Sequence, residues 1–291
     1  MSAVDVVTLS PRARRRRIRR RRFLRRPAAV GSLVVVAAVV FVAVFARWVA
    51  PYSPSETDFD AILSSPSRDH LLGTDDLGRD TFSRIVWGAR ASIMAGFFAT
   101  VLAMIVAVPI GLAAGYYRGK LDTVIARVTD VLLAFPFLIL AVGLAAILGP
   151  SLLNATLALG IAAVPPLVRI ARGETLALRE EDYVRAAVAN GAGDATILGR
   201  HILPNMTSTL LVQATLTIPA AIIGEAVLSF LGLGVQPPTP SWGVMLNAAQ
   251  PYLSMAPSLA VYPGLAIVIT ALAFNLLGDG LRDVLDPKTQ R

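Results

Sequence analysis

The side chains able to do chemistry in this sequence are few and fall in three places. In the first, Asp75, Asp76 and Asp80 surround Arg79, with His70 upstream and Gly73 and Gly78 between them. Paired carboxylates could share a proton in acid–base catalysis. No nucleophile or apolar pocket accompanies them, and the Gly-Asp content favours turn chemistry and contact with a partner. The only other histidine is His201 and cysteine is absent, which rules out disulfides and thiolate metal sites and leaves too few imidazoles for a histidine-built cage. No G-x-x-x-x-G-K-[ST] phosphate loop occurs. The expectation is a chain with no catalytic residue, no metal site and no cofactor of its own.

The second place is Glu225, an acid within or at the end of an apolar run. An unpaired charge there is costly, so it calls for a partner or a watery cavity, and it either lines a pathway or fills a satisfied packing role. Gln213, Thr217 and Asn154 are weaker candidates for the same pathway, because amides and hydroxyls also bond adjacent helices. The third place is the polar segment from Glu180 to Asn205, EEDYVRAAVANGAGDATILGRHILPN, set between two apolar runs. Its first half is a good helix former. Gly191 and Gly193 fit a helix stop in the left-handed conformation, Asp194 fits the cap of a second helix, and Pro204 fits that helix's limit.

The elements that must position these residues are apolar and long. Of 291 residues, 55% are hydrophobic and 16% charged, a composition of the membrane class. Crossing a bilayer takes about 20 apolar residues. Six runs meet that length: Ala28 to Ala50, Ala91 to Tyr117, Thr123 to Leu148, Leu152 to Ala171, Thr207 to Leu231 and Ser258 to Leu277. Pro109, Pro136, Pro165, Pro166 and Pro219 fall inside them and predict kinked spans, since neighbours in a bundle can satisfy the freed carbonyls. Small residues such as Gly111, Ala113, Ala114 and Gly115, or Gly143, Ala145 and Ala146, predict close helix packing.

Charge sets the expected orientation. Eleven arginines lie between Arg12 and Arg26, immediately before the first apolar run, in a segment whose only acid is Asp5. A cytoplasmic topogenic anchor, an anionic-lipid contact and a nucleic-acid arm compete for this head, and its position favours the anchor, with membrane lipid as a compatible contact and no nucleic-acid partner. The first apolar run is too long for the core of a cleaved signal peptide. Six spans then place both termini and the 172–206 loop, with Arg172, Arg179, Arg185 and Arg200, inside, whereas 232–257 carries no charge and lies outside. The expected organisation is an Arg-rich segment 1–27, a first transmembrane helix 28–50, an extracytoplasmic segment 51–90 and a core 91–291 with five helices. Pro237, Pro238, Pro240, Trp242 and Tyr252 predict a rigid, re-entrant or surface-lying loop, bordering the solute entrance or anchored at the membrane interface.

The polar segment resembles the cytoplasmic signature of bacterial ATP-binding-cassette importer permeases, in which Glu-Ala-Ala is followed by a glycine and an Ile-x-Leu-Pro-like end. Here Arg185-Ala186-Ala187, Gly191 and His201-Ile202-Leu203-Pro204 stand at that spacing, with Arg185 in place of the Glu. His70 to Arg90, Glu225 to Gly234, Pro237 to Leu246 and Phe274 to Pro287 extend the resemblance to the C-type permease of the oligopeptide and dipeptide group.

The resemblance implies an all-α, six-span fold of the type I importer permease kind in the cell membrane. It implies a permease subunit without catalysis of its own, with ATP and Mg in partner subunits. The implied partners are a second, B-type permease, two ATP-binding subunits or one fused double ATPase, and an extracytoplasmic solute-binding protein, with peptide as substrate and nickel or another small solute as the alternative. The implied ATPase-coupling residues are Tyr183, Arg185, Ala186, Ala187, Gly191, Ala192, Asp194, His201, Leu203 and Pro204. A secondary transporter, which commonly shows internal repeats and mid-membrane ionisable groups, and a membrane-embedded enzyme, which needs a nucleophile or metal set, are the rival classes.

Overall fold

The computed structural model describes Leu24 and residues 26–285. The Arg-rich head therefore lies almost wholly outside the described residues. Apart from one bridge between Thr74 and Asp80, the regular structure of the described residues is helical. Five helices are long and apolar enough to cross a membrane: α1 (Pro27–Val44), α2 (Thr81–Tyr117), α5 (Leu152–Arg179), α7 (Asp194–Phe230) and α9 (Ser258–Leu285). Between α2 and α5 come α3 (Gly119–Leu133) and α4 (Phe137–Leu148), bent by 89° and passing as one span only when joined. Two short helices, α6 (Asp182–Ala189) and α8 (Trp242–Ala249), sit at opposite ends of the bundle. We call the end that carries α6 the loop end and the end that carries α8 the cap end.

The third run, expected as a span from Thr123 to Leu148 kinked at Pro136, is bent there into two separate helices, the first of which starts at Gly119. Pro136 has no N–H and disfavours helix in the residue before it, so α3 closes with Ala134 and Phe135 bonded back to Val131 and Leu132. The chain restarts from an extended Pro136. At about 1.5 Å per residue, the 12 residues of α4 reach about 18 Å, short of the ~30 Å hydrocarbon core. Two ion pairs fasten α3 to α5, Arg172 on Asp122 and Arg169 on Asp130 at 2.7 Å.

Helix ends also differ from the apolar runs, because capping rather than hydropathy sets them. The second span starts ten residues early, at Thr81, where the Asp80 carboxylate accepts from the Ser83 N–H at 2.7 Å. The segment expected as 51–90 thus ends inside a helix. Helix α5 runs on to Arg179, and α7 begins at Asp194. Pro109, Pro165, Pro166 and Pro219 lie within helices, as does Pro263.

Packing relies on small side chains. The most extensive helix contact is α2 with α5, and its core is alanine-rich, with Ala99, Ala103, Ala107, Ala158, Ala163 and Ala171 buried. A Cβ added at Gly111 would stand 2.5 Å from that of Ala171 and 2.9 Å from the Val168 carbonyl oxygen. Gly143, by contrast, faces open space, although Ala145 two residues on is fully buried. At the cap end, Trp242 is 2% exposed and donates its indole N–H to the Ile85 carbonyl at 3.1 Å. It is a core residue, which removes Trp242 from the interface-anchor alternative for this loop.

Gly111→Val is expected to cost about 1–3 kcal/mol through overpacking of the α2–α5 contact, whereas Gly143→Ala is expected to be neutral. Thermal unfolding of the detergent-solubilised protein, followed by loss of the monodisperse peak, measures the difference.

Candidate functional site

The polar segment folds into an elbow at the loop end. Glu181 is extended and starts α6, with Asp182 in the first turn, where an acid complements the helix dipole. One face of α6 is fixed by Val184, 1% exposed, which packs with Leu112, Ala171, Ile197, Ile202 and Met206. The other face is uncovered: Tyr183 is 40% and Val188 54% exposed, with Arg185 and Ala186 beside them. Partial burial raises the Tyr183 hydroxyl above its ordinary titration range, with Glu181 adding to the shift.

Helix α6 closes with a Schellman pair. The Gly191 N–H bonds the Val188 carbonyl at 2.9 Å and the Ala192 N–H bonds the Ala187 carbonyl at 3.1 Å, with Gly191 at φ +76°. Ala192 then packs on the buried cluster. Gly193 is extended, with φ −71°, so of the two expected stop glycines only Gly191 takes the left-handed conformation. Asp194 is the first residue of α7 and not its side-chain cap; its carboxylate accepts from the Tyr116 hydroxyl at 2.8 Å.

Pro204 does not end the second helix, which is a further correction. The residues Ile197–Ile202 form π turns, with the Leu203 N–H reaching back to the Leu198 carbonyl. A proline ring clashes with the carbonyl four residues back in an α-helix, and the wider π register immediately before Pro204 absorbs that conflict. The helix therefore continues from Asp194 to Phe230 without a break. Ile197 and Ile202 point into the core, Leu203 and His201 are half-buried, and Pro204 is exposed. The His201 carbonyl accepts from the Asn205 side chain.

Cations tie the elbow to the bundle. Arg179 donates to the Tyr116 carbonyl at 2.5 Å and lies 5.5 Å from the centre of its ring. Glu180 accepts from Arg118 at 2.5 Å and from Arg185 at 2.9 Å. Arg185, whose substitution for Glu breaks the familiar motif, thus pairs with an acid that lies off the motif's register. Its guanidinium is raised in turn, first by the hydrogen bond to Glu180. The elbow gathers every residue named for it from sequence; Tyr116, Arg118 and Val184 were not on that list. Val184 had a weak signal as the one large aliphatic between Tyr183 and Ala187, and Tyr116 had none.

The four pathway candidates are scattered. Asn154 donates to the carbonyls of Leu148 at 2.7 Å and Gly149 at 3.1 Å, closing the turn between α4 and α5. The Thr217 hydroxyl donates to the Gln213 carbonyl on its own helix, and Gln213 is half-buried. Glu225 is 0% exposed and accepts from Ser92 and Ser229, each at 2.7 Å.

The acids near His70 are occupied in local structure. Asp75 accepts from the backbone of Leu77 and Arg79 and from the Arg79 side chain at 2.7 Å, and it pairs ionically with Arg84 at 3.3 Å. Asp80 caps α2 while meeting His70 Nδ1 at 3.0 Å. Among the described residues no group of three His, Asp or Glu side chains could hold a metal.

Residues 107–291 match the family described as the binding-protein-dependent transport system inner membrane component, and residues 15–66 match the N-terminal transmembrane domain of oligopeptide transport permease C. The glutathione transport system permease protein GsiD of Escherichia coli O6:K15:H31 (strain 536 / UPEC) is 48% identical over 250 residues, which cover 86% of this chain and 82% of that protein. The protein of the same name in Pectobacterium atrosepticum is 47% identical over 261 residues, 89% of this chain and 87% of its own. The dipeptide transport system permease protein DppC of Alkalihalophilus pseudofirmus is 45% identical over 260 residues, 89% and 86% of the two chains.

Arg185 first, and Arg118 with it, holds the Glu180 carboxyl below the ordinary carboxylate range. A group lowered in this way keeps its ties at and above the ordinary range and loses them as pH falls through the lowered value. Amide exchange of residues 182–190 is therefore expected to be unchanged from neutral pH down to the ordinary carboxylate range once corrected for intrinsic rates. In Glu180→Gln it is expected to be faster at neutral pH.

Proposed function

The chain belongs to the family of inner-membrane components of binding-protein-dependent transport systems, as a C-type permease of the oligopeptide and dipeptide import group, and from that premise we propose that it imports a short peptide by transmitting ATPase movement through the elbow at residues 180–204. The peptide class follows from the relatives, whose names specify glutathione and dipeptide transport. In this reading the chain forms half of the translocation pathway beside a B-type permease. Two ATP-binding subunits, or one fused double ATPase, bind ATP and Mg on the cytoplasmic side, and a solute-binding protein delivers peptide on the other.

One observation carries the mechanism: α6 presents an uncovered face while its buried face and its closing turn lead without a flexible gap into α7. Val184 and Ala192 lock α6 onto the core that includes Ile197, Ile202 and Met206 of α7. A push on Tyr183, Ala186 and Val188 is thus a push on a transmembrane helix. Tyr183, Arg185, Ala186 and Ala187 supply the docking surface; Gly191, Ala192, Asp194, His201, Leu203 and Pro204 hold the turn and the joint. Small side chains at 186 and 187 let an ATPase groove approach closely. Closure of the ATPase pair on nucleotide then displaces α7, in the manner of packed elements sliding between two arrangements.

Orientation follows from charge. Arg118, Lys120, Arg127, Arg172, Arg179, Arg185 and Arg200 all belong to the loop end, whereas 232–257 carries none. The four arginines of 51–90, Arg68, Arg79, Arg84 and Arg90, are an exception set among seven acids. The positive-inside rule assigns the loop end, both termini and residues 172–206 to the cytoplasm. Glu225 and Thr217 are closed within the subunit, so peptide contact falls to surfaces that this chain shares with its partner permease.

The double variant Ala186→Asp/Ala187→Asp, and separately Gly191→Val, tests the reading. In proteoliposomes carrying the assembled transporter, both are expected to lower ATP-driven uptake of glutathione or a dipeptide by about tenfold or more, within the usual size of a coupling effect. The double variant should also lose the co-purifying ATPase at parent expression level. Parent values of uptake and ATPase recovery in both would overturn docking through this elbow. Labelling of Val188→Cys, unique in a cysteine-free chain, from the outer face of sealed cells would overturn the orientation.

A further inference from the structure

Glu225 is enclosed on every side by its own subunit. Among the described residues its partners are hydroxyls and no cation. Ser92 of α2 donates to Oε2 and Ser229, one turn on in α7, donates to Oε1, both at 2.7 Å. The Ser229 oxygen also accepts from the Val235 N–H at 2.9 Å, so the carboxyl reaches the connection 231–240 through a relay of two bonds. Ser241, just beyond that connection, is fully buried. Ser241 in turn caps α8 by accepting from the Val244 N–H at 3.2 Å.

The backbone around this group is pressed together. A Cβ at Gly243 would stand 2.2 Å from the Ala226 carbonyl oxygen, and one at Gly234 would stand 2.8 Å from the Ser229 nitrogen. Three pieces of chain, α2, α7 and the 231–240 connection, therefore meet at one carboxyl, and α8 packs on α7 beside it where Gly243 meets Ala226. An apolar residue of the same volume would avoid the desolvation cost of an acid. What the acid adds is direction: each hydroxyl is held at a fixed angle, and a fully satisfied polar network specifies one arrangement where apolar contact permits several.

We propose that Glu225 is a positioning residue of the import cycle, its carboxyl fastening the 231–240 connection, and through it α8, to α2 and α7 so that this part of the cap end moves as one body when α7 is displaced. The inference rests on the import reading above, because it concerns what the far end of the driven helix carries with it.

The test uses the assembled transporter with spin labels on Arg90→Cys of α2 and Gln250→Cys just beyond α8, both exposed positions. The parent is expected to give one narrow distance distribution. Glu225→Ala is expected to broaden it and to lower peptide uptake by about tenfold, the scale of a misplaced functional element, with ATPase co-purification unchanged. Glu225→Gln is expected to restore both the narrow distribution and near-parent uptake, because the carboxamide keeps an acceptor for one serine and offers a donor to the other. A narrow distribution in Glu225→Ala, or a broad one with parent uptake, overturns the proposal. If Glu225→Ala fails to assemble, Ser92→Ala decides, since it removes one donor and leaves the acid: a broad distribution supports the fastening and a narrow one overturns it. Failure of the coupling reading would show instead in the Ala186/Ala187 variant, whose readout, ATPase recovery, is independent of the label distance.

Discussion

The structure depends on one constraint: in hydrocarbon, every backbone N–H and carbonyl, and every charge, must find its partner inside the chain. Helices meet the requirement along their length, so the informative places are those where a helix cannot. Proline supplies three solutions here. Pro136 breaks the third crossing into α3 and α4, and the chain spends an 89° bend on the gap. Pro204 is absorbed by the π turns of Ile197–Ile202, and Pro219 is carried within α7. Each solution leaves the backbone served and gives the bundle a local shape that a straight helix would lack.

The same constraint explains what could be read from the sequence. Apolar length found the five long crossings, because about 20 residues are needed whatever the neighbours are. It could not find their ends, since Asp80 caps α2 ten residues upstream of the apolar run and that cap is a contact with the Ser83 N–H, not a hydropathy. A kink at Pro136 was legible, but its 89° extent and the continuity at Pro204 were not: the same residue type ends one helix and is tolerated in another, and the local turn register decides. In the elbow, Gly191 was legible because a left-handed turn selects glycine. Asp194 was misread because capping by a side chain and acceptance from the distant Tyr116 use the same carboxylate. Trp242 was ambiguous for a related reason, as an indole suits either a membrane interface or a core with a carbonyl in reach, and Ile85 supplies that carbonyl.

Arg185 illustrates how a departure from a motif is resolved in three dimensions. Along the chain, a cation where the resembled signature has Glu removes an ionic contact. In the fold, Glu180 stands between Arg185 and Arg118 and restores an acid–base tie within the subunit. The surface offered by α6 consequently carries its cation already partnered, and what remains unpartnered on that face is Tyr183, Ala186 and Val188. Recognition by a neighbouring subunit would then rest on shape and apolar contact, with charge setting the angle at which α6 leaves the bundle.

Helix α7 joins the two ends of this account. Its 37 residues, at about 1.5 Å each, span about 55 Å, from Asp194 in the elbow to the turn after Phe230. One end is bound into the core under α6; the other holds Glu225. In the proposed coupling, α7 delivers motion only where it is firmly attached, and the attachments differ in kind. At the loop end apolar contacts through Val184, Ile197 and Ile202, which are non-directional, stand beside the directed bond from the Tyr116 hydroxyl to Asp194. At the cap end the attachments are hydrogen bonds to one carboxyl, which hold an angle or are lost. Both ends of α7 are thus fixed to their neighbours, the loop end chiefly by apolar packing and the cap end by hydrogen bonds within the subunit.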